Sequence, residues 1–367
     1  MKKRLFSLLL VSALVFTLSG CGEKSLLRES DPVTLNFWHV YGEQSGSPMD
    51  LLVQEFNRTV GQEKGVRVQV TNLSSASKIG GFLKEAQKGG RDAPEMPDLF
   101  TCHISDATAL GSDNLVDWNA RFTAEELSNF VPGFLADGMT EDGTLLLFPI
   151  SKSTQLLMCN GSGFARSLAQ GHVVVSDLYS NTQVMTGDVL SGLGSSAAIL
   201  YYNDTVTYRD GTQEPMDLHV LPMPKTAGAD ALMTQAGVGL CAYKTTDQKA
   251  EAAALFVRWL TESERNLDFV AQTGYMPVRN GAFDAIENYD KFPEPTESYR
   301  QLYAALKIMQ ENYTPLSEPR FGGYYGKVSQ LYDGLRQMQQ ELPARAAAGE
   351  SIDTLAEETW ALLCAIH

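Results

Sequence analysis

The chain is 367 residues long, 44% hydrophobic and 20% charged, with a formal net charge of −15. Length and composition suit a globular protein of two domains. So acidic a surface excludes nucleic acid as a partner, because phosphate contacts need clustered lysine and arginine; a small anionic ligand answers to local charge and is not excluded.

Lys2, Lys3 and Arg4 precede an apolar run from Leu5 to Leu18, broken by Ser7, Ser12 and Thr17. The run falls short of the roughly 20 residues that span a bilayer and reads as a secretory h-region. It closes on Leu18-Ser19-Gly20-Cys21, which resembles the lipobox of bacterial lipoproteins. That resemblance implies cleavage before Cys21 and a lipid on its sulfur, an anchor gaining about 0.8 kcal/mol per buried CH₂. The alternative is an ordinary signal peptide with an incidental cysteine. Loss of residues 1–20 removes three positive charges from −15 and leaves −18. Residues 21–32 read as a polar tether. The remaining cysteines, Cys102, Cys159, Cys241 and Cys364, stand in apolar neighbourhoods outside any CxxC pattern. They pair as disulfides or, as favoured here, stay as buried thiols.

Thr34 to Trp38 alternates and is rich in β formers, which predicts a first strand. Leu52, Phe56 and Val60 predict one face of a following helix. Val66 to Val70 predicts a second strand, Phe82 to Gln87 a helix, and Pro97 to Thr101 a third strand. Strands alternating with helices imply a parallel sheet covered on both faces, with ligands at the carboxyl ends of its strands. His39, Tyr41 and His103 fall at those ends; packed or exposed loop residues are the other reading of each.

Leu218 to Pro224 predicts another strand. In Ala252 to Arg279, Ala253, Phe256, Val257 and Leu260 form a helical stripe. Thr261 and Glu264 have capping-box spacing for a second helix. Leu267 and Val270 carry that helix to Gly274, suited to a left-handed cap, and Pro277 cannot continue it. Tyr275 beyond this cap either contacts a ligand or closes an edge of the core. Prolines 293, 295, 315 and 319 predict loops, Tyr324 to Leu342 an amphipathic helix, and Ile352 to Ile366 a last helix.

Ala252 to Arg279 resembles the helix–helix–TGYLPV signature of extracellular solute-binding proteins of ABC importers, family 1. Phe148 to Asn160 resembles the family's crossover P-F-S-S-T-x-x-L-Y-Y-N. Gly187 to Ala198 resembles its GxxAM…xSS strand and turn, and Ala236 to Ala242 its GG-x-x-L return strand. The resemblance implies an α/β, periplasmic-binding-protein-like (type II) fold of two lobes and a hinge. Lobe 1 is then 33–150 with 236–288, and lobe 2 is 151–235 with 289–367, including C-terminal helices. It implies a lipid-anchored receptor on the extracellular or periplasmic face, carrying a sugar or organophosphate to an ABC importer permease.

Within the family the glycerol-3-phosphate receptors match best. They imply ligand contacts by Ser153, Ser195, Tyr275, the Gly237 amide and Arg320, a set of hydroxyls, N–H and guanidinium that surrounds a phosphate. Two positions depart: the first-lobe tyrosine falls in Ser74 to Ser77, and the first-lobe glutamate falls near His103. Gly161 to Thr186 is also roughly a hundred residues shorter than in those receptors, so a reduced second lobe and feeble binding are expected. There is no HExxH, P-loop, GxSxG or metal-type Cys/His cluster, so no enzyme, cofactor or metal is expected. The rival reading is a surface lipoprotein that kept the scaffold but lost transport; a hydrolase with a scattered site comes third.

Overall fold

A computed structural model describes residues 25–41, 47–73, 76–160, 179–225, 228, 230–317, 319 and 324–350. The apolar leader with Cys21, Ser74 and Ser75, residues 161–178, Arg320 and the helix expected at Ile352 to Ile366 lie outside them.

Strand β1 (Val33–His39) buries Val33, Leu35, Phe37 and His39 on one side. Helix α1 (Pro48–Arg58) follows, with Asp50 N–H donating to the Ser47 hydroxyl at its N-cap. The expected Leu52, Phe56 and Val60 all face the core, Phe56 buried and the other two half-buried against it, with Met49 and Val53 buried beside them. Val60 opens a separate short helix, α2 (Val60–Lys64), because α1 ends at Arg58. Strand β2 (Val66–Asn72), helix α3 (Ala76–Lys88), strand β3 (Leu99–Cys102) and helix α4 (Ile104–Leu110) complete the first half. Short helices α5 (Ala124–Ser128) and α6 (Pro132–Asp137) lead to the crossover.

Beyond it come β4 (Gln155–Asn160), α7 (Ser180–Met185), β5 (Ser191–Ser195), a 3₁₀ turn at Ser196–Tyr201, the hairpin β6 (Thr205–Thr207) and β7 (Gln213–Pro215), and β8 (Leu218–Leu221). Strands β9 (Leu232–Gln235) and β10 (Gly239–Ala242) bring the chain back. Helices α8 (Asp247–Leu260), α9 (Ser263–Ala271), α10 (Ala282–Ile286) and α11 (Thr296–Asn312), strand β11 (Thr314–Ser317) and helix α12 (Tyr324–Ala347) follow.

The first sheet runs β10-β3-β1-β2. β1 is parallel to both its neighbours, as expected, while the returning β10 is antiparallel to β3. Every residue of β3 and β10 is buried, as in strands covered on both faces. One cover is α8, whose Phe256 ring meets Phe37 at 5.8 Å and Phe56 at 5.0 Å, both edge-on. The second sheet runs β5-β4-β8, all antiparallel, with α11 packed on β8 and α7 on β5. β9 and β11 pair in parallel apart from both.

Three expectations change. Thr261 does not cap α9: its hydroxyl donates back to the Val257 carbonyl at 2.8 Å, and Glu262 is the N-cap without a side-chain bond. The proline-marked stretch holds α11, whose Tyr299, Leu302, Tyr303, Leu306 and Met309 are buried at helical spacing. The stretch 21–32 is not wholly a free tether, since Ser25 Oγ and Leu26 N–H both donate to Glu251 on α8, at 2.6 and 3.0 Å. Cys102 and Cys241 are buried free thiols with sulfurs 3.7 Å apart; the side chain of Cys159 and all of Cys364 lie outside the described residues.

Candidate functional site

The chain passes between the sheets at Ser151 to Thr154 and returns at Ala236 to Val238. Each crossover is fixed on the first-sheet side by the bonds between Phe148 and Leu240, N–H to carbonyl in both directions at 2.9 and 2.8 Å. Buried Asn266 on α9 adds a staple: its amide donates to the Ile150 carbonyl at 2.7 Å, and its oxygen accepts the Val278 N–H at 3.1 Å.

Three other segments then bond to these four residues. Lys152 N–H donates to the Met276 carbonyl at 3.2 Å, and Ser153 and Ala236 exchange N–H···O bonds at 3.0 Å each way. Ser196 N–H donates to the Thr154 carbonyl at 2.8 Å. Both crossovers, the turn after β5 and the segment after α9 therefore meet at one place. An extended strand alternates its side chains, so Ser151 and Ser153 face one way and Lys152 and Thr154 the other.

On the first face Ser151 Oγ lies 3.0 Å from the Tyr41 hydroxyl. The Tyr41 ring stands edge-on to Tyr275, 6.0 Å between centroids, and to Phe269 at 5.2 Å. Burial, with Tyr275 alongside, pushes the Tyr41 phenol well above its ordinary value, so it stays neutral. Gly237 has φ +105°, and a methyl group there would lie 3.7 Å from Ser153 Oγ and 3.8 Å from the Tyr275 ring. Gly274 has φ +68° and approaches so closely that a Cβ would meet the Ser196 carbonyl at 2.8 Å. That contact brings the Ser195–Ser196 turn against the Tyr275 segment.

Ser153, Gly237 and Tyr275 are thus together. Ser195 stands in the adjoining turn, half-buried, where its hydroxyl accepts the Ala197 N–H at 3.3 Å and caps the 3₁₀ turn. Arg320 lies outside the described residues. Of the three strand-end residues, Tyr41 reaches this face. His39 is fully buried with its ring bonded to Asp50, so it is not an open cleft residue. His103 is half-buried, and burial holds its imidazole below the ordinary value.

Sequence reasoning passed over the other face. Lys152 Nζ is bonded to the Asp137 carboxylate, with the side chains 1% and 9% exposed. Thr154, Ser196 and Gln235 are buried, and Thr154 Oγ1, Ser196 Oγ and Gln235 Oε1 have no partner among the described residues. Buried polar atoms left so are filled by water or by a ligand. Gln235 sits one residue before the Ala236–Ser153 pair and so opposes Thr154, a meeting that no motif in the sequence marks. A separate depression of about 280 Å³ between α1 and α9 is lined by Leu51, Arg58, Asp268 and Gln272, away from the predicted site residues.

The model of the bacterial extracellular solute-binding protein family matches residues 164–294, a stretch that holds Ser195, Gly237 and Tyr275. Among solved structures, the cyclic alpha-maltosyl-1,6-maltose binding protein of Arthrobacter globiformis aligns at 14% identity and a TM-score of 0.63, covering 92% of this chain and 99% of that one. UgpB of Mycobacterium tuberculosis, solved with glycerophosphocholine, aligns at 15% identity and a TM-score of 0.62, covering 91% and 99%. A family 1 extracellular solute-binding protein of Alicyclobacillus acidocaldarius gives 13%, 0.61, 90% and 97%. The fold is that of a bacterial extracellular solute-binding protein. Comparison with curated sequences gives no match. The polar face built on Ser151, Ser153, Gly237 and Tyr275 lies where the chain passes between the two sheets. Among the described residues no helix is long and apolar enough to cross a membrane.

Proposed function

We propose that this protein is a lipid-anchored extracellular receptor that hands a carbohydrate or glycerol-phosphate-like solute to an ABC importer. The observation that carries the proposal is the meeting of Ser153, Gly237 and Tyr275 at the crossovers. Hydroxyls, an aromatic edge and open backbone beside a glycine suit a hydroxyl-rich solute. The Lys152 ammonium is already met by Asp137 and buried, so the described groups favour a neutral polyol, and a phosphate depends on Arg320. The neighbours, which bind a cyclic maltosyl sugar in one case and glycerophosphocholine in the other, support both solute classes. The proposed lobes are 33–150 with 236–288 and 151–235 with 289–367, two of their three boundaries falling at the crossovers. Solute between the lobes would then close them about these crossovers.

A thermal-shift screen of oligosaccharides and glycerophosphodiesters tests the proposal. Stabilisation by one class is expected; no shift with any of them, together with turnover of a chromogenic glycoside or phosphoester, would replace the receptor with a hydrolase. Anchoring is tested by Cys21→Ala, which is expected to move the chain from the membrane to the soluble fraction. A variant that stays with membranes after a carbonate wash contradicts lipidation.

A further inference from the structure

His39 ends β1 with a fully buried ring. Its Nδ1 accepts the Tyr41 N–H at 3.2 Å. The ring proton therefore sits on Nε2, which donates to Asp50 Oδ1 at 2.9 Å. Tyr41 carries this arrangement to the crossover, with its hydroxyl at Ser151 Oγ and its ring against Tyr275.

We propose that His39 is a positioning residue for the solute site: it holds Tyr41 in place by accepting its N–H, and a proton arriving at Nδ1 breaks that hold and weakens solute capture. The proposal rests on the reading that the solute binds beside Tyr41 and Tyr275. A protonated Nδ1 is a donor facing another donor, so the bond to the Tyr41 N–H cannot survive it. Asp50, from α1, is the charged group against the ring, while Phe37 at 5.1 Å and Tyr41 at 6.1 Å supply aromatic walls. Burial keeps the imidazole below its ordinary value of 6.5, and Asp50 opposes this. The hold is therefore intact at neutral pH and released in acid.

The test labels histidine and tyrosine with ¹⁵N in the full chain in mild detergent, a set of 5 and 14 residues. Spectra are followed from about pH 7.5 to about 4.5, across the range where histidine titrates. The expected result is an Nε2–H tautomer for His39 at neutral pH and a Tyr41 amide that shifts in step with His39 protonation. Affinity for maltotriose or glycerophosphocholine, whichever binds, should fall by up to about tenfold per pH unit below that midpoint. His39→Asn leaves an acceptor oxygen without a titrating ring, so its affinity profile loses the acid limb. Asp50→Asn removes the pull on the proton and moves the limb to lower pH, which a merely structural histidine would not do. A Tyr41 amide indifferent to His39 protonation, or an acid limb unchanged in His39→Asn, overturns the proposal. Failure of both solutes to bind counts against the solute reading, and the Tyr41 amide then decides the role of His39.

Discussion

Lys152 is the residue that shapes the crossover most sharply in energetic terms. A buried ammonium is stable only while its carboxylate partner is present, and the pair with Asp137 is nearly sealed from water. Removing one partner leaves an uncompensated charge, so Lys152→Met or Asp137→Asn alone should cost about 3–5 kcal/mol. The double change Lys152→Met with Asp137→Leu should recover most of that loss, which urea denaturation of the three variants measures. A double variant no more stable than the singles would show that the pair is not the source. At this scale the sequence was half legible. Ser153, Gly237 and Tyr275 could be named because each sits in a short motif. Lys152 with Asp137, and Gln235 opposite Thr154, could not, because they meet only when two distant segments pair.

The α9–Tyr275 segment is held by α11. Buried Tyr303 on α11 donates its hydroxyl to the Val270 carbonyl at 2.7 Å and lies 3.0 Å from the Tyr275 carbonyl. The Val270 carbonyl also accepts the Thr273 N–H at 3.1 Å, so losing the Tyr303 hydroxyl removes chiefly its tie to the Tyr275 carbonyl. Tyr303→Phe should therefore cost about 1 kcal/mol, the middle of the range for one hydrogen bond, and should weaken solute binding by letting Tyr275 shift. Denaturation and binding measured on the same variant check it; unchanged values for both would remove α11 from the site's support. The strands of the first sheet were legible from alternation, and α8 and α9 from their stripes. Helix α11 is masked in the sequence by the prolines on either side of it, which signal loops but stand outside the helix. The face of Leu52, Phe56 and Val60 was legible, but not the break at Thr59 that puts Val60 in a separate helix.

At the scale of the whole molecule, the two sheets communicate through few residues, and those residues also form the polar face. On the proposed reading, a solute at Ser153 and Tyr275 would touch both crossovers at once, so its binding energy would be available to bias lobe closure. The resemblance of four separate stretches to family motifs made the two-lobe fold legible. The solute was not legible, because the residues proposed to contact it come from separate segments. The most direct measurement is calorimetric titration of the soluble chain with the solute that gives the largest thermal shift. The account predicts a dissociation constant near 10⁻⁴ M, the weak binding expected from the short sequence between Gly161 and Thr186, and a loss of about tenfold, or ~1.4 kcal/mol, in Tyr275→Ala. Binding below about 1 μM would contradict the reduced second lobe, and equal binding by wild type, Tyr275→Ala and Ser153→Ala would contradict the site itself.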